Sequence, residues 1–236
     1  MIEIDKLKKS YRSGETTVQA LRGVTLTIGD GEFLSIAGPS GSGKTTLLNL
    51  IGCLDTADSG TITIDSLPIG RQDKKELALL RRQKIGFVFQ SFNLIPVLTA
   101  YENASFPLSL LGLGEKAIRE RTMSLLEEVG IAEMSHRRPA ELSGGQQQRV
   151  AIARALVKQP ELVLADEPTA NLDSRTGEEI LKLMEKLNTS YGTTFVFSTH
   201  DSMVMDYAHR LVGLHDGLIQ SDEVRTKTGV AGGVKR

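Results

Sequence analysis

The 236-residue sequence predicts an α/β fold, with a mostly parallel sheet, an antiparallel β lobe ahead of it and a helical lobe inserted into it. Three observations carry this expectation. Short β-branched or apolar runs, EFLSIA, GTITI, KIGFVF, ELVLA and TTFVFS, recur between glycine and polar turns. Helical periods lie between several of these runs. One stretch, from about Ser91 to Pro160, breaks the alternation with helical patterns alone.

The elements follow in chain order. Before Gly38, apolar Val24, Leu26 and Ile28 alternate with polar neighbours, as in a half-exposed antiparallel sheet. EFLSIA is a buried strand that runs into GPSGSGKTT and then the apolar helix TTLLNLIGCL. In the helical lobe, Ile118, Leu125, Leu126 and Val129 share one face before a stop at Gly130. A further helix begins at Ser143, Gly144 and Gly145 and runs through Gln148, Val150, Ile152 and Leu156. ELVLADE is an apolar strand ending in two acids, Ile180, Met184 and Leu187 line another helix face, and TTFVFSTH is a strand closed by His200. From position 222 to 236 the glycine-rich, aperiodic end is expected to be disordered.

Composition narrows the class of function. With 40% hydrophobic residues the chain can build a proper core, and 28 Lys plus Arg against 29 Asp plus Glu give no net basic field for nucleic acid. The cluster RRQK at Arg81 to Lys84 reads as a solvated helix end. Cys53, the single cysteine, reads as a small packed residue and excludes an intrachain disulfide framework. The start MIEIDKLKKS lacks the apolar core of a signal peptide, and no apolar run reaches the roughly 18 residues of a membrane span. A soluble, cytoplasmic protein is expected.

Gly38 to Thr45 fits G-x-x-x-x-G-K-[ST] between a strand and a helix, the context of a P-loop NTPase core of the RecA-like kind. The glycines let backbone N–H groups close on phosphates, Lys44 reaches the terminal phosphates and Thr45 offers a hydroxyl to Mg²⁺. A parallel sheet delivers Asp166 and Glu167 to its carboxyl edge, where ligands bind, so that Asp166 suits Mg²⁺ and Glu167 an attacking water. His200 closes a strand at the same kind of edge. Gln90, ending GFVFQ, has an amide oxygen that can complete a metal shell.

These parts occur in the order Tyr11, phosphate loop (Gly38, Pro39, Ser40, Gly41, Ser42, Gly43, Lys44, Thr45, Thr46), Gln90, LSGGQ at Leu142 to Gln146, LADEPT at Leu164 to Thr169, NLD at Asn171 to Asp173, and His200. In this the chain resembles the ATP-binding subunit of an ABC transporter, over a single nucleotide-binding domain spanning residues 1–221. The resemblance implies an ATPase with ATP and Mg²⁺ as cofactors. It implies that Tyr11 stacks on adenine, Gln90 links Mg²⁺ to the partner-facing lobe, Glu167 is the general base and His200 holds the γ-phosphate or the attacking water. It also implies a head-to-tail homodimer in which Ser143, Gly144, Gly145 and Gln146 of one copy cap the ATP in the other, and it counts Asp173 among the nucleotide-binding residues.

IGCLDTADSG and FVFQSFNLIPVLTAYENASFPL resemble the group that powers lipoprotein-releasing and macrolide-exporting transporters. A separate membrane permease is then implied. The apolar residues from Phe92 to Leu111 (Phe92, Leu94, Ile95, Val97, Leu98, Phe106, Leu108, Leu110 and Leu111) are too many for a short lobe to bury, and some are expected to stay exposed as its docking site. The chain is then expected to lie peripherally on the inner face of the membrane. A cell-division ATPase that signals without transport is an alternative. A nucleic-acid-acting ABC ATPase is a further one, disfavoured because the sequence has no long coiled coil, zinc-binding cysteine set or second cassette.

Overall fold

The computed structural model describes residues 1–14, 16–226 and 229–230. In chain order the elements are β1 (Ile2–Ser13), β2 (Thr16–Ile28), β3 (Phe33–Ala37), α1 (Lys44–Ile51), β4 (Ser59–Ile64), β5 (Leu67–Pro68), α2 (Lys74–Lys84), β6 (Ile85–Val88), α3 (Ala100–Ser109), α4 (Glu115–Glu128), α5 (Gly144–Leu156), β7 (Leu162–Asp166), α6 (Ser174–Tyr191), β8 (Thr194–Thr199), α7 (Ser202–Tyr207), β9 (Arg210–His215), β10 (Leu218–Thr226) and β11 (Gly229–Val230). They form two compact units, residues 1–81 with 194–236, and residues 82–193.

In the first unit, β1 is flanked by β2 and β4, both antiparallel, with Ile2 opposite Ile28 on one side and Ile64 on the other. Ile2, Ile4, Val24, Leu26, Ile28, Ile62 and Ile64 all turn inward, as alternation requires of a sheet with one buried face. A second sheet places β3 between β8 and β9, parallel to each. All five residues of β3 are buried, and Phe33 packs its ring 5.8 Å from Phe195 and 4.6 Å from Phe197. The register sets Ala37 beside Thr199, so the phosphate loop and His200 leave adjacent strands at one carboxyl edge.

β9 and β10 form an antiparallel hairpin through a turn in which Asp216 and Gly217 both have positive φ, 47° and 73°. An Asp-Gly pair is suited to such a turn. The strand runs on through Thr226, so residues 222–226 are paired strand and not disordered. The reason is local. Arg210 grips Asp222 through two bonds, Nε to Oδ1 at 2.8 Å and Nη2 to Oδ2 at 2.7 Å, and donates to Glu32 and to the Thr27 carbonyl. The remainder of the expected disordered tail, 227–228 and 231–236, lies outside the described residues.

In the second unit, β6 and β7 pair in parallel with Val88 beside Ala165, which brings the segments carrying Gln90 and Asp166 to one carboxyl edge. Among the described residues, 91–160 contains helices and turns and no strand. α5 packs against α3, α4, α6 and β6 and buries Gln148, Val150 to Ala153, Ala155 and Leu156. α6 buries Ile180, Leu181, Met184 and Leu187 and ends at Gly192, a left-handed cap with φ 64°.

The basic cluster before β6 closes α2 with Arg82 and Gln83 exposed, a solvated helix end as expected, and its cations also reach nearby acceptors. Arg81 donates to the Cys53 carbonyl at 2.6 Å, Arg82 to the Leu110 carbonyl at 3.2 Å, and Lys84 to Glu161 at 3.1 Å. Cys53 is buried, and burial pushes its thiol up to about 11. No described helix is long and apolar enough to cross a membrane.

Candidate functional site

The phosphate-binding loop is shaped by what its glycines leave out. Gly43 caps α1 with φ 105°, and a Cβ there would lie 2.4 Å from the Ala20 carbonyl oxygen, so a side chain is excluded by both conformation and space. With no side chain capping α1 and no acid in its first turn, its leading N–H groups and dipole favour an incoming anion. Lys44 is buried, and its Nζ donates to the carbonyls of Gly38 at 2.7 Å and Pro39 at 3.0 Å, which holds the ammonium against the loop. Ser42 is buried while Thr45, Pro39 and Ser40 are exposed. The Gly217 N–H donates to the Ser42 carbonyl at 3.0 Å and the Gly217 carbonyl accepts from Arg22 at 2.9 Å, so the β9–β10 turn braces the loop.

His200 is exposed where β8 ends, beside the loop. Gly38 donates its N–H to the Thr199 carbonyl at 3.3 Å, which fixes the two segments together. Asp201, next in sequence, caps α7 by accepting from Met203.

Tyr11, on β1, is 40% exposed. Its phenol donates to Asp55 at 2.8 Å and is hydrogen-bonded by Thr46 of α1. Lys9 donates to Asp55 at 2.8 Å and lies 5.1 Å from the centre of the Tyr11 ring. Burial raises the Asp55 carboxyl, but hydrogen bonds from Lys9, Tyr11 and the Thr56 N–H outweigh it and hold the group below its ordinary range.

In the second unit, β7 ends at Asp166, and Glu167 follows with φ 47°, a conformation rare outside glycine and typical of functional turns. Gln148, fully buried on α5, donates to the Pro168 carbonyl at 2.6 Å and so holds that turn from below. Gln90 is exposed, and its carbonyl accepts from Asn171 at 2.9 Å. Phe92 and Asn93 both have positive φ, and Arg154 of α5 donates to both of their carbonyls, at 2.7 Å to Phe92.

α5 opens with a capping box. Ser143 Oγ accepts from the Gln146 N–H at 3.3 Å, and Gln146 Oε1 accepts from the Ser143 N–H at 2.9 Å. Ser143 is exposed, and a hydroxyl that accepts one hydrogen bond still has its own O–H to donate to an anion. Gly145 is a packing glycine, because a Cβ there would lie 2.5 Å from Thr176 Cγ2. Asp173 caps α6, accepting from the Thr176 N–H at 3.0 Å and its hydroxyl at 2.7 Å, bonds that hold its carboxyl below the ordinary range.

The residues thus gather by unit: Tyr11, Gly38 to Thr46 and His200 in one, and Gln90, Ser143 to Gln146, Asp166, Glu167 and Asp173 in the other. Thr45, Gln90 and Asp166 are hard oxygen donors of the kind Mg²⁺ takes alongside phosphates and water. No group of three or more His, Cys, Asp or Glu among the described residues is arranged to hold a metal by protein ligands alone.

A family model described as ABC transporter matches residues 21–170, more than half of the chain. This chain belongs to the ABC transporter family. The ABC cassette is 49% identical over 227 residues to an uncharacterized ABC transporter ATP-binding protein, MJ0796, of Methanocaldococcus jannaschii, covering 94% of this chain and 97% of that one. It is 47% identical over 224 residues to the macrolide export ATP-binding/permease protein MacB of Syntrophobacter fumaroxidans, covering 94% of this chain but 31% of that longer protein. Among solved structures, a dimeric post-hydrolysis state of MJ0796 bound to ADP and Pi superposes with a TM-score of 0.89 at 46% identity, over 96% of this chain and all of that one. The cassette is an ATP-binding subunit of an ABC transporter and an ATPase.

Asn171, the first residue of NLD, also shapes the site through its bond to Gln90, as do Lys9, Asp55, Gln148, Arg154 and Gly217, whose roles no motif marks. Only Gly217 carries a local signal, the Asp-Gly pair between the apolar runs RLVGLH and LIQ.

Proposed function

We propose that two copies of this cassette close head to tail on ATP and that closure and hydrolysis drive a separate membrane permease, in export or lipoprotein release. The observation that carries this reading is that one chain bears two anion-facing helix N-termini, α1 behind the phosphate loop and α5 behind Ser143, on different compact units. A second cradle has a use when it serves another copy's nucleotide. The dimeric form of MJ0796 with ADP and Pi supports the pairing.

In this reading the N–H groups of Gly41 to Thr46 and the Lys44 ammonium bind the β- and γ-phosphates, and Ser143 and Gly145 of the second copy donate to the γ-phosphate. Thr45, Asp166 and Gln90 would hold Mg²⁺, which supplies charge neutralisation to the phosphates when bound. Glu167 accepts a proton from the attacking water, and the hydrogen bond from Gln148 to the Pro168 carbonyl keeps its turn in place. His200 orients the γ-phosphate or the water, and Tyr11 stacks on adenine.

The permease meets the segment after Gln90. Of its apolar residues, Leu108 is buried and Phe92, Leu94, Ile95 and Leu98 are half-buried, while Val97, Phe106 and Leu110 stand 72%, 43% and 50% exposed. Phe106 near the end of α3 and Leu110 at its C-cap put two exposed apolar side chains four residues apart at one helix end. The name of MacB, which joins ATP-binding and permease roles in one protein, supports a permease partner. Such a partner would hold the cassette at the membrane surface.

The test is complementation in trans. A Lys44→Ala chain mixed with a Ser143→Arg chain can form one intact site and one doubly damaged site. Turnover in the mixture well above either variant alone is expected; turnover no higher than the sum of the two at any ratio overturns the head-to-tail pair.

A further inference from the structure

The cluster around Tyr11 has more structure than a stacking surface needs. An aromatic on a strand edge can lie on a base with no help, yet here the phenol is anchored at its tip and loaded on one face. Asp55 lies after α1 in the segment leaving the phosphate-loop helix, and it accepts from Tyr11 at 2.8 Å, from Lys9 at 2.8 Å and from the Thr56 N–H at 2.7 Å. Lys9 is nearly buried and also donates to the Thr56 carbonyl at 2.7 Å, so its ammonium has a fixed place. The Asp58 carboxylate accepts from the Ser10 N–H at 2.7 Å, and the Asp58 N–H donates to the Lys8 carbonyl at 2.9 Å. The strand that carries Tyr11 is therefore sewn to the chain that follows α1 at four successive residues, 8 to 11.

Two consequences follow from this geometry. The ring is tied at its hydroxyl to Asp55 and to Thr46, both covalently close to the phosphate loop, so the distance from ring to phosphates is set before a nucleotide arrives. Preorganisation of this kind raises affinity by removing an ordering cost. The Lys9 ammonium, 5.1 Å from the ring centre, takes one face and leaves the other to a base.

We infer that Asp55 and Lys9 are positioning residues for nucleotide binding, holding Tyr11 as a preset platform for the purine while leaving the phosphate grip to the loop. The inference rests on the reading of Tyr11 as the base-stacking residue. It assigns the cost of losing Asp55 to the base alone. Alanine substitution removes the base–aromatic stack, so losing the Tyr11 ring is expected to weaken ATP about tenfold.

The experiment measures the Kd of the purified full chain for ATP and for inorganic tripolyphosphate, with the KM and kcat of ATP turnover. The variants are Tyr11→Ala, Tyr11→Phe, Asp55→Ala, Lys9→Met and the double variant Tyr11→Ala with Asp55→Ala. We expect Asp55→Ala and Lys9→Met to raise the Kd for ATP about three- to tenfold, with the loss falling on KM rather than kcat and tripolyphosphate binding as in the wild type. Tyr11→Phe, which keeps the ring and loses only the tether, should show a smaller rise in the same direction. Adding Asp55→Ala to Tyr11→Ala should cost nothing more. If Tyr11→Ala leaves the Kd for ATP unchanged, the stacking reading fails and the inference with it. If Tyr11→Ala weakens ATP while Asp55→Ala and Tyr11→Phe do not, stacking stands and the positioning role is overturned. If Asp55→Ala weakens ATP equally in both backgrounds, or weakens tripolyphosphate as well, Asp55 acts on the fold and not through the ring, which also overturns it.

Discussion

The N-termini of α1 and α5 both favour anions, and they are finished in opposite ways. α1 is capped by a glycine with no side-chain bond, so its leading N–H groups are left to a ligand. α5 closes a capping box between Ser143 and Gln146 and so satisfies itself. The first is a binding site that the ligand completes. The second is a stable helix whose exposed hydroxyl and glycine N–H groups remain for a visitor. A resident nucleotide suits the first arrangement, and an element that must stay folded while a partner comes and goes suits the second.

The largest expected effect removes the chemistry and keeps both helix starts. Glu167→Gln should lower turnover by at least about 10²-fold, since an amide cannot accept the water's proton, while ATP binding persists. An ATP-dependent dimer should then accumulate in gel filtration. A variant that stays monomeric at saturating ATP and still turns it over removes Glu167 from the role of base.

A narrower substitution separates the cap that Ser143 forms from the γ-phosphate contact proposed for it. Aspartate caps a helix about as well as serine, so Ser143→Asp should keep the thermal midpoint close to wild type. Its carboxylate meets the γ-phosphate with like charge, and turnover should fall about 10- to 100-fold. Ser143→Ala, in contrast, should lose about 1 kcal/mol of stability with the cap. Normal turnover by Ser143→Asp would show that the serine only caps.

In the same first turn of α5, Gly145→Ala should cost about 1–3 kcal/mol by overpacking against Thr176, read from urea unfolding. Thr176→Ser removes the clashing methyl but keeps the hydroxyl bonded to Asp173. The double variant should recover most of the loss; an unchanged deficit means that Gly145 is needed for something other than space.

The smallest effect lies just beyond the other end of α5. Burial pulls the Lys158 ammonium down to about 8, although it donates to the Ile85 carbonyl at 2.7 Å. Between about pH 8 and the ordinary lysine value of about 10.4, the unfolded chain binds the proton that the folded chain has released, so stability should rise with pH. Lys158→Met should flatten that rise in denaturation midpoints measured across the window. An identical slope in the variant assigns the titration to another group.

The order of strands and helices around the phosphate loop was legible because each carries its own local signal. FLSIA is apolar but for Ser35 and is buried throughout, and GPSGSGKTT between a strand and a helix defines its own backbone. The helical lobe was legible for the same reason, from periodicity alone. The run of β10 beyond Ser221 was not, because Asp222 and Glu223 look like a polar tail until Arg210 pairs with Asp222. The exposure of Val97, Phe106 and Leu110 beside the buried Leu108 was equally illegible, since all four are simply apolar in sequence.

By itself the sequence determined which residue types stand where chemistry is proposed, because chemical identity is local: a lysine after glycines, two acids at a strand end, a serine before a pair of glycines. Only the tertiary structure decided what holds them. Asp55 reaches Tyr11 across 44 positions, Arg154 reaches Phe92 across 62 and Asn171 reaches Gln90 across 81. Such supports are single side chains bonded to a phenol or to backbone carbonyls. Any residue offers a carbonyl whatever its type, so two of these three bonds leave no pattern at the accepting end, and only the folded chain brings donor and acceptor within 3 Å.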